Sequence, residues 1–430
     1  MLVEFKVSNF RSFKGDTTFS MVASSIKEHR DEDYLYEVND KLSLLKVSVI
    51  YGANASGKSN LFKAMLFMKD FVLHSVEKRL VGYYHHHILQ PFRLSVGGEK
   101  RPAFFEVIFY ISDTFYRYGF GVDSKKVVSE WLFVRPNVPH KKEICYFYRE
   151  LDNFEVLNKK YFKESVDIVK KGKVRSDALL LTTAANFNGE VSLKVFSAFE
   201  SFYFLHRTFP FPLTFMEIEK NGTADVLSFL RMADLGIDDI RVQVVPWEKI
   251  PEEVKKSVGI TEKTLTGRIV RISHKVYNES GQALGEVWFD LGVDESEGTR
   301  LFFEMIGGVI VSLRRGAILF VDEIDSSLHP LLVKKICEIF LSKRFNPKGA
   351  QLIFTTHDVS LLRDSFLRRD QVWFVEKDNF GISHLYSLLE FKKNGKKVRK
   401  DESYEKGYLL GRYGAVPVLS EPKVSYDKEE

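Results

Sequence analysis

Short apolar runs bounded by polar or turn residues are the most distinct feature of the hydrophobic pattern. Three of them, Leu44–Ile50, Ala317–Val321 and Gln351–Thr355, are predominantly apolar, and Val372–Glu376 forms a weaker fourth. A short run without regular polar alternation is typical of a strand that is covered on both faces, as in a parallel sheet. The pattern therefore predicts a mostly parallel core sheet built from distant parts of the chain.

Between these runs the pattern changes to helical and to β-rich periodicity. Helical spacing marks Ser59–Leu73, Thr299–Leu313 and Leu331–Leu341, each beside one of the apolar runs. Within Phe104–Arg149, β-rich runs separated by turn residues predict an antiparallel meander. The chain is therefore expected to fold as an α/β protein in which a core sheet with helices is joined by a second, antiparallel sheet.

A stretch of mixed character separates the two halves of this pattern. It begins with a Lys-rich amphipathic segment, continues with helical patterns such as Leu193–His206, and ends in a hairpin in which Arg268–Tyr277 pairs with Glu286–Leu291. We interpret this stretch as an inserted helical/β lobe that divides the core domain into a first and a second part. The predicted boundaries are 1–154 for the first part, 155–284 for the lobe and 285–430 for the second part.

A phosphate-binding loop follows the first apolar run. Residues 52–59 are Gly-Ala-Asn-Ala-Ser-Gly-Lys-Ser, which fits the pattern G-x-x-x-x-G-K-[ST] between a buried strand and a helix. The glycines let successive backbone N–H groups point at phosphate oxygens, while Lys58 reaches the β- and γ-phosphates and the Ser59 hydroxyl ligates Mg²⁺. The residues predicted to bind the nucleotide here are Gly52, Asn54, Ser56, Gly57, Lys58, Ser59 and Asn60.

Acidic residues follow the second apolar run, and a histidine follows the third. Asp322 stands where a strand delivers a second Mg²⁺ contact, and Glu323 is placed to polarise an attacking water. A neutral His357 imidazole could hydrogen-bond the γ-phosphate and sense its loss. We therefore assign Glu323, His357 and Lys58 as candidate catalytic residues. The alternatives are a chance match of the loop pattern for Lys58, an ordinary polar turn after a strand for the acidic pair, and a structural role for His357.

A second candidate anion site opens the helix that precedes the acidic pair. In the segment Asp294–Arg300, the Ser296 hydroxyl, the Gly298 N–H and Thr299 lie at a predicted helix N-terminus, which favours negative charge. Two phosphate-binding elements in one chain suggest that they act at different places. A capped helix start without any ligand remains the alternative.

Together these motifs resemble the ABC-type ATPase heads of the SMC, RecF and OLD group, and most closely the AAA-labelled ATPases similar to RloA and AbiL. The segment 155–284 matches only weakly. The motifs that carry the resemblance are Asn9–Phe13, 52–59, Gln90–Phe92, Glu295–Thr299, Leu319–Glu323, Thr355–Asp358, Val372–Asp378 and Gly411–Pro417.

The resemblance implies a P-loop NTPase fold of the ABC-head type that binds ATP with Mg²⁺. It further implies that Arg11 touches phosphate or the adenine side, and that Gln90 contacts both the metal and the attacking water. In such heads Ser296 and Gly298 would cap the γ-phosphate of the partner's ATP, so two subunits would pair head-to-tail. The segment that contains Ser296 and Gly298 differs from the Leu-Ser-Gly-Gly-Gln sequence of ABC transporters. This difference argues against a transporter subunit.

Composition indicates the cellular location of the protein more than its activity. Lys and Arg number 63 against 58 Asp and Glu, so the small net charge of +5 does not by itself indicate nucleic-acid binding. The two cysteines lack metal-binding spacing and are expected to be reduced. No apolar run is long enough to cross a membrane. We therefore expect a cytoplasmic protein.

Three functions fit these observations. The first is a homodimeric ATPase switch, in a phage-defence module that controls a separately encoded nuclease or toxin, as the resemblance suggests. The second is a DNA-maintenance clamp similar to RecF or SMC heads, which would require a basic face and salt-sensitive nucleic-acid binding. The third is a scaffold in which ATP is structural. The presence of Glu323, a residue placed for hydrolysis, argues against this third function.

Overall fold

The computed structural model describes residues 1–29, 33–77, 88–205, 213–246, 267–326, 328–393, 396–399 and 402–417. The helices in these ranges are α1 (Lys58–His74), α2 (Val166–Lys170), α3 (Leu180–Asn186), α4 (Glu190–Glu200), α5 (Leu213–Asn221), α6 (Ala224–Met232), α7 (Glu297–Arg315), α8 (Pro330–Leu341) and α9 (Tyr404–Leu409).

The strands alternate with these helices. They are β1 (Leu2–Ser8), β2 (Thr17–Ser20), β3 (Leu35–Asn39), β4 (Leu42–Leu45), β5 (Val47–Tyr51), β6 (Ala103–Ile111), β7 (Thr114–Val122), β8 (Val127–Pro136), β9 (Ile144–Glu150), β10 (Asn153–Leu157), β11 (Phe202–Leu205), β12 (Asp239–Val245), β13 (Gly267–Tyr277), β14 (Ala283–Asp290), β15 (Ile318–Val321), β16 (Gln351–Thr355), β17 (Val372–Lys377), β18 (Ser383–Ser387), β19 (Lys392–Lys393) and β20 (Lys396–Lys397).

The core sheet has the order β11-β15-β16-β5-β17-β18, and its first five strands are parallel while β18 runs antiparallel. Successive residues of β5 enter opposite cores: Ile50 faces one cluster, and Val49 and Tyr51 face the other. Because both faces are covered, these strands lack the polar alternation of a half-exposed sheet. The predicted parallel core sheet is confirmed.

The predicted antiparallel meander is also confirmed, within a larger sheet of order β10-β9-β8-β7-β6-β1-β2. Helix α1 lies between this sheet and the core sheet, since Phe67 and Phe71 pack in the same cluster as Phe105 and Ile353. Buried Gln351 joins the two sheets, because its side chain accepts a hydrogen bond from Leu2 N and donates to Leu2 O. The chain is therefore a mixed α/β fold with a parallel core sheet and antiparallel sheets.

Within the region between 155 and 284, the structure differs from the sequence-based description over Leu193–His206. A single helix was expected over Leu193–His206, but α4 ends at Glu200 and Phe202–Leu205 forms β11, while residue 206 lies outside the described residues. Four apolar residues are too few for periodicity to separate strand from helix, and parallel pairing with β15 decides the outcome. The hairpin of β13 and β14 is confirmed, and the limits of the lobe stay a prediction.

No helix within the described ranges is long and apolar enough to cross a membrane.

A buried ion pair attaches α3 to the antiparallel sheet. Glu130 and Arg149, on adjacent strands, are 3.0 Å apart and almost inaccessible to solvent. The Glu130 carboxylate also accepts hydrogen bonds from the Tyr118 hydroxyl and from the N–H groups of Leu180 and Leu181 at the start of the helix. A carboxylate at a helix N-terminus satisfies otherwise unpaired N–H groups. Glu130 therefore holds the strands and the helix in one arrangement.

Replacing Glu130 by Ala should lower the free energy of unfolding by about 3–5 kcal/mol, because the buried Arg149 guanidinium would lose its counter-charge. Glu143→Ala is the matched control: it removes the more exposed partner of Arg117, and an exposed pair contributes at most about 1 kcal/mol. Denaturant titration followed by circular dichroism measures both variants. Equal losses of stability would contradict the structural role of Glu130.

Candidate functional site

The candidate site lies where three neighbouring core strands end. The phosphate loop follows β5, Asp322 and Glu323 follow β15, and His357 lies just beyond β16. Because these strands are parallel and adjacent, in the order β15-β16-β5, their carboxyl ends share one edge of the sheet. Ligands of open α/β sheets bind in the crevice at that edge. The structure therefore brings together the three groups that the motifs singled out.

The phosphate loop uses its glycines where no side chain fits. A Cβ atom at Gly57 would lie 2.3 Å from the Ser383 Oγ, and the residue has a φ of +118°, which side chains rarely adopt. At Gly52 a Cβ atom would lie 2.5 Å from the backbone oxygen of Val375. Both glycines therefore allow a close wrap of backbone just before α1.

Lys58 spans the inside of this loop. Its ammonium group donates to the backbone oxygens of Gly52 and Ala53, at 2.6 and 3.2 Å, and lies 3.3 Å from the Nε2 of His357. Burial lowers the pKa of Lys58, while the nearby carboxylates, with Asp322 first, act in the opposite direction. A buried ammonium held among oxygen acceptors is prepared for phosphate oxygens, which would supply the compensating negative charge.

Thr355 joins the two acidic residues, although sequence reasoning did not assign it a role. Its hydroxyl donates to Asp322 Oδ1 at 2.7 Å and accepts from the Glu323 N–H at 2.7 Å. Glu323 has a φ of +54°, an uncommon value for a residue with a side chain. A hydroxyl residue at the end of an apolar strand beside the acidic strand was the available signal. Thr355 is therefore a positioning residue for the acidic pair.

The loop after β16 is fixed by two further contacts. The backbone N–H of His357 donates to Asp325 Oδ2 at 3.1 Å, and the buried Tyr51 hydroxyl donates to the Asp358 backbone oxygen at 2.9 Å. Burial raises the pKa of Tyr51 well above its usual value, so the phenol stays a donor. These contacts hold the His357 ring beside Lys58 while the ring remains exposed.

The residues present fit a magnesium-bound nucleotide. Within the described residues, the Ser56 hydroxyl oxygen and Asp325 Oδ1 are buried without a hydrogen-bond partner, and the glycine cradle excludes side chains from the loop. No group of three or more His, Cys, Asp or Glu residues forms a metal site in the described ranges. The sequence motif assigns Mg²⁺ to Ser59 and Asp322, which would hold the ion together with phosphate oxygens, and the ion would neutralise charge on the β- and γ-phosphates.

Arg11 and Gln90 lie in a cleft beside the start of α1. The backbone N–H of Arg11 donates to the backbone oxygen of Gln90 at 2.6 Å. Both residues line a cleft of about 230 Å³ together with Asn60 and Lys377. Burial lowers the pKa of Arg11, and its Nε is buried without a partner in the described structure. The cleft could accept the phosphate or nucleoside part of a nucleotide. The metal contact of Gln90 stays a prediction, because its backbone makes the observed bond.

The segment around Ser296 forms a separate cleft. The Ser296 hydroxyl caps α7 by accepting from the Thr299 N–H at 3.1 Å. With Gly298 these residues line a cleft of about 620 Å³ between α6, α7 and α8. The lining residues of that cleft do not include the phosphate loop. The helix cap expected from the simpler alternative is therefore present, in a cleft that the phosphate loop does not line.

Comparisons with known proteins bear on the whole chain. No curated protein is similar enough to match. Three solved structures overlap it loosely: the SMC head domain from Thermotoga maritima (13% identity, TM-score 0.37, covering 90% of this chain and 98% of that one), the recombination mediator protein RecF-ATPrS of the RecFOR pathway (13%, 0.32, 90% and 98%), and the Smc head domain with a coiled coil and joint from Pyrococcus yayanosii (11%, 0.37, 90% and 96%).

A family model gives the decisive match. The family is described as "AAA domain, putative AbiEii toxin, Type IV TA system", and its model matches residues 47–363. That range runs from β5 and the phosphate loop to the segment after His357, so it contains all three strand ends of the site. The chain therefore belongs to this family of P-loop AAA domains, and membership implies that it binds a nucleotide.

Proposed function

We propose that the protein is a magnesium-dependent ATPase of the ABC type, in which two copies pair head-to-tail on binding ATP and so act as a switch. The observation that carries the proposal is the grouping of Lys58 with the Thr355-bridged pair of Asp322 and Glu323 at one sheet edge. A protein that only bound phosphate would need Lys58 and the loop but not the acidic pair. The additional carboxylate of Glu323 is what hydrolysis requires.

In the proposed reaction a water oxygen attacks the γ-phosphorus while the Glu323 carboxylate accepts a proton from that water. The bond between the γ-phosphorus and the β–γ bridging oxygen breaks, and ADP and phosphate leave. Lys58 stabilises the negative charge that moves onto the bridging oxygen. His357, whose Nε2 lies beside the Lys58 ammonium, would contact the γ-phosphate through a neutral imidazole.

Pairing is supported by the position of the second anion-binding element. Ser296 and Gly298 lie at the N-terminus of a 19-residue helix, where N–H groups and the helix dipole favour an anion. Their cleft is not lined by the loop that contains Lys58. In a two-fold dimer each chain would offer this N-terminus to the γ-phosphate held by its partner. The site would then be complete only between two chains.

The switch would act on a separately encoded effector, a nuclease or a toxin, in a cytoplasmic anti-phage module. The family description names a toxin and a toxin–antitoxin system, which supports a role in such a module. Separation of two chains after hydrolysis would change which surfaces are available to that effector. ATP binding and hydrolysis would then set the state of the protein.

Glu323→Gln should keep ATP bound, slow hydrolysis by about 10²–10⁴-fold and accumulate the dimer, because an amide is a far weaker base than a carboxylate. ATP turnover and light scattering with Mg-ATP measure the two effects. Glu338→Gln, on the exposed face of α8, is the control. Monomeric Glu323→Gln protein saturated with Mg-ATP would contradict the head-to-tail proposal.

Mixing two inactive variants, Lys58→Ala and Gly298→Arg, should partly restore ATPase activity. In a composite site, each mixed dimer holds one site with both defects and one with neither, so an equal mixture should recover about a quarter of the wild-type rate. Titrating one variant into the other measures the recovery. Absence of recovery, with mixed dimers demonstrated by mass, would mean that each chain builds its site alone.

Thr355→Val should lower kcat by about 10- to 100-fold and change KM by less than about threefold, because the lost hydroxyl orients groups that act in the transition state. The volume of the side chain hardly changes. Thr355→Ser keeps the hydroxyl and should restore most of the rate. Steady-state kinetics of the two variants provide the test, and unchanged kcat in the valine variant would remove Thr355 from the account.

A further inference from the structure

Two serines from opposite ends of the chain meet at the phosphate loop. The Ser383 hydroxyl, at the start of β18, donates to the backbone oxygen of Ser56 at 2.5 Å. The Ser383 N–H donates to the backbone oxygen of Ser12, in the turn between β1 and β2, at 2.8 Å. Both serines are buried, with 2% and 8% of their surface exposed. They therefore contact the loop from inside the fold.

The contact with Ser56 has a direct geometric consequence. In a trans peptide the C=O and the following N–H point in opposite directions. Since Ser383 holds the Ser56 C=O on the outer side of the loop, the N–H of Gly57 is turned away from Ser383. Backbone N–H groups directed into a phosphate loop are what bind phosphate oxygens. The Ser383 hydroxyl therefore fixes the orientation of one such peptide.

Ser12 supports the same turn from a second direction. Its hydroxyl accepts a hydrogen bond from the side-chain amide of Asn60, in the first turn of α1, at 2.8 Å. A Cβ atom at Gly57 would lie 2.9 Å from the Ser12 Oγ and 2.3 Å from the Ser383 Oγ. Gly57 is thus enclosed by the two hydroxyl groups, and the loop cannot relax toward either of them.

We propose that Ser12 and Ser383 are positioning residues of the nucleotide site, which hold the Ser56–Gly57 peptide in its phosphate-binding orientation. Both lie outside residues 47–363, the range that the family model matches. The phosphate loop of this protein is therefore supported by two segments that lie on either side of the range matched by the family model. The binding part of the proposal rests on nucleotide binding by the loop, and only its kinetic part rests on the proposed hydrolysis.

Ser383→Ala should raise the Kd for Mg-ATP and the KM by about five- to tenfold, since one orienting hydrogen bond is lost. The loss affects ground state and transition state alike, so kcat should stay within about twofold. A variant that was merely less well folded would show the reverse, a lower apparent kcat with unchanged Kd. Isothermal titration and steady-state kinetics on the full chain separate these two patterns.

Ser387→Ala is the matched control, because this serine is buried on the same strand and, within the described part of the chain, its hydroxyl bonds to the Glu390 N–H at 3.2 Å and not to the phosphate loop. Its Kd should equal that of the wild type. Ser12→Ala tests the second contact and decides the question if Ser383→Ala does not fold; the same rise in Kd is expected. The proposal would be overturned if folded Ser383→Ala or Ser12→Ala protein bound Mg-ATP with the wild-type Kd. It would also be overturned if the Kd of the control rose as much as theirs. Failure of the wild type to bind Mg-ATP would instead refute the proposed function.

Discussion

Parallel pairing of β15, β16 and β5 is the constraint on which the rest of the site depends. The register sets Val321 beside Phe354 and Thr355 beside Ile50, so all three strands reach the same edge within a residue of one another. Asp322 follows β15 at this edge, Thr356 follows β16, and the phosphate loop follows β5. A shift of one residue in any pairing would turn side chains to the opposite face and separate Thr355 from the acidic pair.

The polar groups at this edge are held at some energetic cost. Glu323 adopts a positive φ value although it has a side chain, and Lys58 is largely removed from water. Such features persist where the surrounding structure overdetermines them. Here the surroundings are the Thr355 hydroxyl, the backbone oxygens of the loop and the serines at 12 and 383. Rigid support of the loop and the acidic pair means that phosphate and water can meet groups already in position.

Much of the fold followed from the sequence because its strands are buried on both faces and its loop motif requires a strand and a helix around it. The predicted strand ends, the helices beside them, the meander and the hairpin of β13 and β14 are present. The edge strand Phe202–Leu205 was missed, because only its parallel partner distinguishes it from the end of a helix. Thr355 and Ser383 were not assigned because their importance arises from contacts across 32 and 327 positions of sequence.

Separation of the Ser296 cleft from the phosphate loop makes a two-chain site the central claim. Its most direct test is the ATPase rate per chain as a function of protein concentration, with the mass of the particles measured at each point. The account predicts a rate per chain that rises with concentration and levels off as dimers saturate. A constant rate per chain in a protein that stays monomeric with Mg-ATP would contradict it.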